Sequence, residues 1–204
     1  MDGYQRRSRE KKEQIRQAGF RLFGGKGYRK TTVGEIAAEA GVSPVTIYNL
    51  FGSKKELLKA VIRHYFETQW EAFARMADSG LSYPQLIRKM FEEKSALEDT
   101  SPQFLNLIPM DDPEILAIIE TWHRTRTIPL ILDIIRQGKR EGILEETLSE
   151  EAVLLYLQTF RTAQANPALW HPDAHSLRTG LVRLFFYGLL GTPPEASGPA
   201  DNQN

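Results

Sequence analysis

Apolar residues recur at three- and four-residue intervals along most of this chain, and β-branched residues seldom cluster at alternating positions, so the pattern predicts an all-α fold. Ile36, Ala37 and Ala40 share one face of a helix that Gly41 ends by taking a positive φ. Ser43 restarts the chain as an N-cap, and Pro44 fills the first helical position, where a missing N–H costs nothing. The new helix is expected to run to about Phe51, with Val45, Ile47 and Phe51 on its buried side and Thr46, Tyr48 and Asn49 directed elsewhere.

Beyond Ser53, the stripe Leu58, Ile62, Phe66, Trp70, Phe73 and Ala77 predicts a helix of several turns linking the two halves of the chain. Gly80, Pro84 and Pro102 break the pattern, with Leu86, Met90, Phe91 and Leu97 on the helix between them and a short segment at 103–108. Asp112 and Pro113 form an N-cap and first position, and Ile115, Ile118, Ile119 and Trp122 form the buried face that follows. Pro129 removes the hydrogen bond to the Thr125 carbonyl, which predicts a kink or boundary near Thr127. Lys139, Arg140 and Gly142 close that segment. Two more helices are expected, from 149 to about 165 and from 173 to about 190, the second with Leu177, Leu181, Leu184, Phe185 and Leu189 on one side. Residues 191–204, rich in Pro, Gly and polar side chains, read as an unpacked tail.

A helix, a tight turn and a second short helix over residues 32–58 is the layout of a DNA-reading unit. The second helix pairs a buried face with one that offers donors, acceptors and a methyl group, which suits the major groove. An ordinary αα-hairpin with a glycine turn has the same pattern.

The wider stretch 15–58 resembles the N-terminal domain of TetR-type transcriptional regulators. The resemblance rests on I-R-Q-A-G-F-R-L-F for a first helix, G-Y-R-K-T-T-V before the second, A-G-V-S in the turn, T-I-Y-N-L-F for the third and S-K-K-E-L-L opening the fourth. R-Q-G-K-R-E-G-I-L looks like the end of that family's seventh helix. Arg16 and Gly19 stand where the family places an aliphatic residue and an alanine, and Leu50 where an aromatic or His is common. The resemblance implies a three-helix helix-turn-helix DNA-binding domain in 1–53 and a helical effector-binding and dimerisation domain in 54–190. It implies a homodimer whose last two helices pair as a four-helix bundle, with Gly180 and Gly188 allowing close approach. The alternative is that the apolar faces of those helices close the monomer's own core. A dimer of this kind sets its recognition helices about 34–36 Å apart and reads a palindromic operator in double-stranded DNA.

Carried over by position, the resemblance puts Val45, Thr46 and Asn49 at base edges with Pro44 nearby, and Thr32, Ser43, Tyr48 and Lys54 on phosphates. Lys54 suits that role independently, since it lies at a helix start where N–H groups favour a phosphate oxygen. Arg6, Arg7 and Arg9 are expected to precede the first helix, as a minor-groove arm or as a solvated run. The resemblance also implies a small-molecule effector in the C-terminal domain. Candidate lining residues are Phe66, Trp70, Phe73, Met90, Phe91, Phe104, Trp122 and Phe160, with His123, Arg126, Arg161 and Gln164 as polar anchors. Each has core packing as its other reading, and the arginines would suit a carboxylate or phosphate. A DNA-bound protein acting through protein partners, as an architectural or occlusion factor, would need the same reading surface and no cavity.

Charge sharpens this picture. The chain balances 26 basic against 26 acidic residues, yet residues 1–63 hold 14 Lys and Arg against 6 Asp and Glu, while the remainder holds 12 against 20. A basic end of this size is the electrostatic footprint of phosphate contact. The absence of cysteine removes disulfides, thiolate zinc sites and cysteine nucleophiles. A polar N-terminus and the lack of a long apolar run lead us to expect a cytoplasmic protein without membrane association. His171, Asp173 and His175 form H-P-D-A-H, but Pro172 marks a loop with Asp173 as the cap of the last helix, and no third metal ligand is evident. No nucleophile elbow, P-loop or dinucleotide fingerprint is present. The expectation is a regulator, not an enzyme, with no cofactor.

Overall fold

The computed structural model describes residues 3–96, 101–164 and 166–190; Leu97 and the tail expected at 191–204 lie outside them. The regular structure among the described residues is helical throughout. The first helix, α1 (Gly3–Lys26), is longer than its apolar pattern indicates. Arg6, Arg7 and Arg9 therefore lie inside α1 and do not form an arm ahead of it. The segment has no apolar stripe before Ile15, but its Gln, Arg, Glu and Lys residues are good helix formers.

Next come α2 (Val33–Glu39), α3 (Pro44–Phe51) and α4 (Lys54–Ala77). Packing joins Met1–Ala72 with Leu97–Thr127 in one compact unit. Its core contains Ile15, Phe23, Ile36, Ile47, Leu57, Leu58, Ile62, Leu107 and Ile115, none of which retains solvent exposure. Full burial of each such side chain is worth about 1.5–3 kcal/mol, so this cluster is what fixes α2 and α3 in place. Gly19 fits closely against α4, with a Cβ there falling 3.1 Å from Val61 Cγ2.

Within the same unit α6 (Ser101–Leu107), which follows α5 (Tyr83–Ala96) in the chain, lies along α1. Next comes α7 (Pro113–Trp122), capped by Asp112, whose carboxylate accepts from the Glu114 and Ile115 N–H groups at 3.0 and 3.3 Å. A single π-turn at His123–Thr127 ends the unit. It falls immediately before Pro129, which accounts for the break expected near Thr127: the ladder widens where the i−4 bond is lost.

The second unit comprises Phe73–Ala96 and Ile128–Asn204. Here α5 packs against α8 (Ile128–Arg140) and α10 (His175–Leu190). Tyr83 is fully buried, and its N–H donates to the Glu141 carboxylate at 2.7 Å. Lys139 Nζ donates to the Glu146 and Leu148 carbonyls, tying down the loop after α8. Ser149 caps α9 (Glu150–Gln164), its hydroxyl accepting from the Ala152 N–H at 3.1 Å.

The start of the last helix differs from expectation. Two short 3-10 turns, Pro167–Trp170 and Pro172–Ala174, precede α10, and Asp173 sits inside the second instead of capping the helix. Pro172 takes the first position of that turn, so the cap moves upstream to His171, whose Nδ1 accepts from the Asp173 N–H at 3.4 Å.

Candidate nucleic-acid interface

The turn between α2 and α3 is closed by backbone alone. Gly41 has φ +65°, and the Val42 N–H reaches back to the Ala37 carbonyl at 2.9 Å. Ser43 then caps α3, accepting from the Thr46 N–H at 3.2 Å, with the Ser43 and Thr46 hydroxyls 2.9 Å apart. Ile47 is buried, and Leu50 and Phe51 lie half-buried against the same core.

Val45 is 65% exposed, which corrects its grouping with Ile47 and Phe51 as a buried face. Residues two apart do not share a helix face, whereas 47 and 51, four apart, do. The outward side of α3 thus carries Val45, Tyr48, which is 51% exposed, and Asn49, with exposed Pro44 at its start; Thr46 is half-buried.

The positions flanking α3 are held by polar contacts. Thr32 caps α2 in a reciprocal box with Glu35: the Thr32 N–H donates to Glu35 Oε2 at 2.8 Å, and Thr32 Oγ1 accepts from the Glu35 N–H at 3.2 Å. The bond from Lys26 at 2.5 Å, followed by that from the Thr32 backbone, pulls the Glu35 carboxyl down to about 2. Lys54 opens α4, its ammonium 4.4 Å from the centre of the Tyr28 ring, and partial burial lowers its pKa. Sequence reading missed Tyr28 as this platform, because nothing local links positions 28 and 54.

It also read the D-D-P-E run only as a helix cap. Asp111 pairs with Arg29, Asp112 with Lys55 at 3.0 Å, and Glu114 with Lys55 and Lys59 at 3.0 and 2.6 Å. Arg21 and Lys26 pair with Glu39 and Glu35. Part of the cationic excess of residues 1–63 is therefore committed to holding the unit together. Hydrogen bonds from Lys55 hold Asp112, and from Lys59 and then Lys55 hold Glu114, below the usual carboxylate range. A carboxylate shifted down stabilises the fold at neutral pH and loses that contribution as pH falls below its ordinary value, 4.5 for Glu114. Glu114→Gln should lower the melting temperature modestly at pH 7, and the gap to wild type should close as pH falls through 4.5 towards 3; a gap that persists at pH 3 would contradict this account.

The effector candidates divide between the units. Phe66, Trp70, Phe104, Trp122, His123 and Arg126 belong to the first; Phe73, Met90, Phe91, Phe160, Arg161 and Gln164 belong to the second, where the side chains of Phe91, Arg161 and Gln164 are outside the described set. In the first unit Phe66 stacks on Trp122 at 5.8 Å and meets Phe104 edge-on at 5.3 Å. The Arg126 guanidinium lies 4.9 Å from the Trp70 ring centre, and the buried Trp70 Nε1–H has no hydrogen-bond partner among the described residues. In the second, Phe73, Met90 and Phe160 pack at the edge of the core around Tyr83 and Leu86.

His171 and Asp173 approach to 3.4 Å in open solvent, and among the described residues no three His, Asp or Glu side chains converge as metal ligands. No helix among the described residues is long and apolar enough to cross a membrane.

A buried Ile47, an outward Val45, Tyr48 and Asn49, and a glycine-closed turn define a helix-turn-helix domain. Residues 15–61 match the family described as bacterial regulatory proteins, tetR family. The transcriptional regulator HbdR of Aromatoleum is 36% identical over 75 residues, 37% of this chain, which thus spans about a third (32%) of that relative's length. The transcriptional repressor KstR2 of Mycolicibacterium smegmatis is 21% identical over 155 residues, covering 72% of this chain and 74% of the other. A solved Saccharomonospora viridis structure, a putative transcriptional regulator in complex with choline, aligns at TM-score 0.70 and 18% identity over 85% of this chain and 94% of that one, a likeness of fold.

Proposed function

We propose that this protein is a cytoplasmic, homodimeric transcriptional repressor that reads a palindromic operator through α3 and leaves it when a small molecule binds. Residues 1–53 are the DNA-binding part, 54–190 the effector-binding and dimerisation part. The observation that carries the reading is the outward presentation of Val45, Tyr48 and Asn49 on a helix whose Ile47 is locked in the core. In this reading Val45, Thr46 and Asn49 face base edges with Pro44 beside them, and Thr32, Ser43, Tyr48 and Lys54 face phosphates.

The first-unit aromatic group is the better supported half of the effector contact, because Trp70 keeps an unsatisfied N–H there. The relative with choline bound has the same fold, and a cationic group already rests on the Trp70 face here. Support for dimerisation comes from Leu155, Leu177 and Leu184, apolar yet exposed on α9 and α10.

Lys54→Ala should weaken binding on every sequence and reduce the slope of log affinity against log salt by about 0.9, the release of one phosphate contact. Tyr48→Ala should weaken binding on every sequence as well. Asn49→Ala should instead lose roughly tenfold to a hundredfold on the operator and little on random duplex. Filter binding or anisotropy titrations at several salt concentrations measure both. Equal losses on operator and random DNA for Asn49→Ala would remove it from base contact.

A further inference from the structure

From Thr31 to Ser53, a stretch of 23 residues that contains α2, the turn and all of α3, the chain has no lysine, arginine or histidine. It also has no glutamine, so Asn49 is its only side-chain amide. Its two carboxylates are spoken for: Glu35 by Lys26 and Thr32, Glu39 by Arg21 at 3.0 Å. This composition bears on base choice, because each base pair is read in the major groove by a particular chemistry. Guanine O6 and N7 are taken by a forked cationic donor, cytosine N4 by a carboxylate, adenine N6 and N7 by an amide, and the thymine methyl by an apolar side chain.

The outward side of α3 lacks the first two chemistries and has both of the others. Asn49 is exposed, and its amide can give to adenine N7 and accept from adenine N6 at once. Val45, 65% exposed one turn earlier on the same side, offers two methyl groups. The hydroxyls do not alter the balance: Thr46 is half-buried with its oxygen 2.9 Å from Ser43 Oγ, and a hydroxyl serves either base. The nearest cations lie outside the stretch. Lys54 is held over Tyr28, Arg29 is paired with Asp111, and Lys30 precedes α2.

We infer that the base pairs read by α3 in each half-site are A·T: an adenine held at N6 and N7 by Asn49, and a thymine whose methyl packs on Val45. The inference rests on the proposed DNA-reading role and adds the sequence class of the DNA.

The test starts from sites selected by the purified full-length protein out of random duplex DNA at near-physiological salt. The selected half-sites should carry invariant A·T pairs. In the best site, replacing each adenine in turn by 7-deaza-adenine, which lacks N7, should identify one position per half-site that costs about tenfold. Replacing each thymine in turn by deoxyuridine should identify one that costs about fourfold, the value of one buried methyl. Asn49→Ala should be indifferent to the first replacement and Val45→Ala to the second. Both residues are exposed, so neither variant threatens the fold. Enrichment of a palindrome with invariant G·C pairs at the centre of each half-site would overturn the inference and leave the operator-binding role standing. Analogue losses that persist in the alanine variants would also overturn it. Failure of the folded protein to enrich any motif would remove both the inference and the role beneath it.

Discussion

Leu184→Glu should give a folded, helical monomer whose operator affinity has fallen by about a hundredfold to ten-thousandfold, the avidity lost when two linked half-site contacts become independent. Leu184 is 66% exposed, Leu155 65% and Leu177 55%. Leu177 and Leu184 are seven residues apart and so share a face of α10, with Gly180 between them and no atom of the described residues within 4 Å of where its Cβ would be. Contact between α9 and α10 uses other side chains: Tyr156 stacks on Phe185 at 5.4 Å and donates to the Leu184 and Phe185 carbonyls at 3.3 and 2.9 Å, while Phe160 stacks on Phe185 at 4.1 Å. The leucine face is therefore surplus to this unit's own packing.

In a twofold dimer the same patch meets itself, so one substitution places two carboxylates in one apolar interface. In the monomer the same glutamate stands in water and should change stability little. Sedimentation velocity, circular dichroism and operator titration together separate these outcomes. A variant that stays dimeric would move the interface away from α10. A monomer that keeps full operator affinity would show that dimerisation is not what makes binding tight.

What the sequence made legible was what local chemistry decides. The caps at Ser43 and Asp112 and the break ahead of Pro129 each depend on one or two residues and their immediate backbone, and each stands where the pattern placed it. Apolarity misled where it was taken for burial: Val45 faces outward because α3 has only one side to bury, and Ile47 and Phe51 already occupy it. Polarity misled in the other direction at Arg6, Arg7 and Arg9, where helix propensity extends α1 without any apolar stripe.

The clamp of Asp111, Asp112 and Glu114 on Arg29, Lys55 and Lys59 could not be read, since it joins positions at least 55 residues apart. The effector candidates have the same difficulty. Aromatic residues at helical spacing look identical whether they end in a core or around a ligand, and only the unsatisfied Trp70 N–H distinguishes one of them.

Two adjacent glycines in α1 should respond to alanine with opposite signs. A Cβ on Gly24 would lie 2.9 Å from the Gln103 carbonyl oxygen and 3.0 Å from its Cβ, and a backbone atom of α6 cannot swing aside as a side-chain tip can. Either α6 moves off α1 or the strain is retained, at a cost of about 1–3 kcal/mol. For a chain of this size that is a fall in melting temperature of roughly 3–10 °C. A Cβ on Gly25 would meet no atom of the described residues within 4 Å, so Gly25→Ala adds only helix propensity, roughly 0.5–1 kcal/mol and a rise of about 1–4 °C.

Opposite signs at neighbouring positions exclude a general sensitivity of the α1 C-terminus and isolate the α1–α6 contact. That contact lets α6 lie along the helix whose Ile15 and Phe23 share a core with Ile36 of α2 and Ile47 of α3. Calorimetry of the two variants beside wild type checks the signs. Two shifts in the same direction would mean that α6 does not sit on Gly24 in solution, and the link from residues 101–127 to α2 and α3 would then have to rest on the Asp111, Asp112 and Glu114 ion pairs.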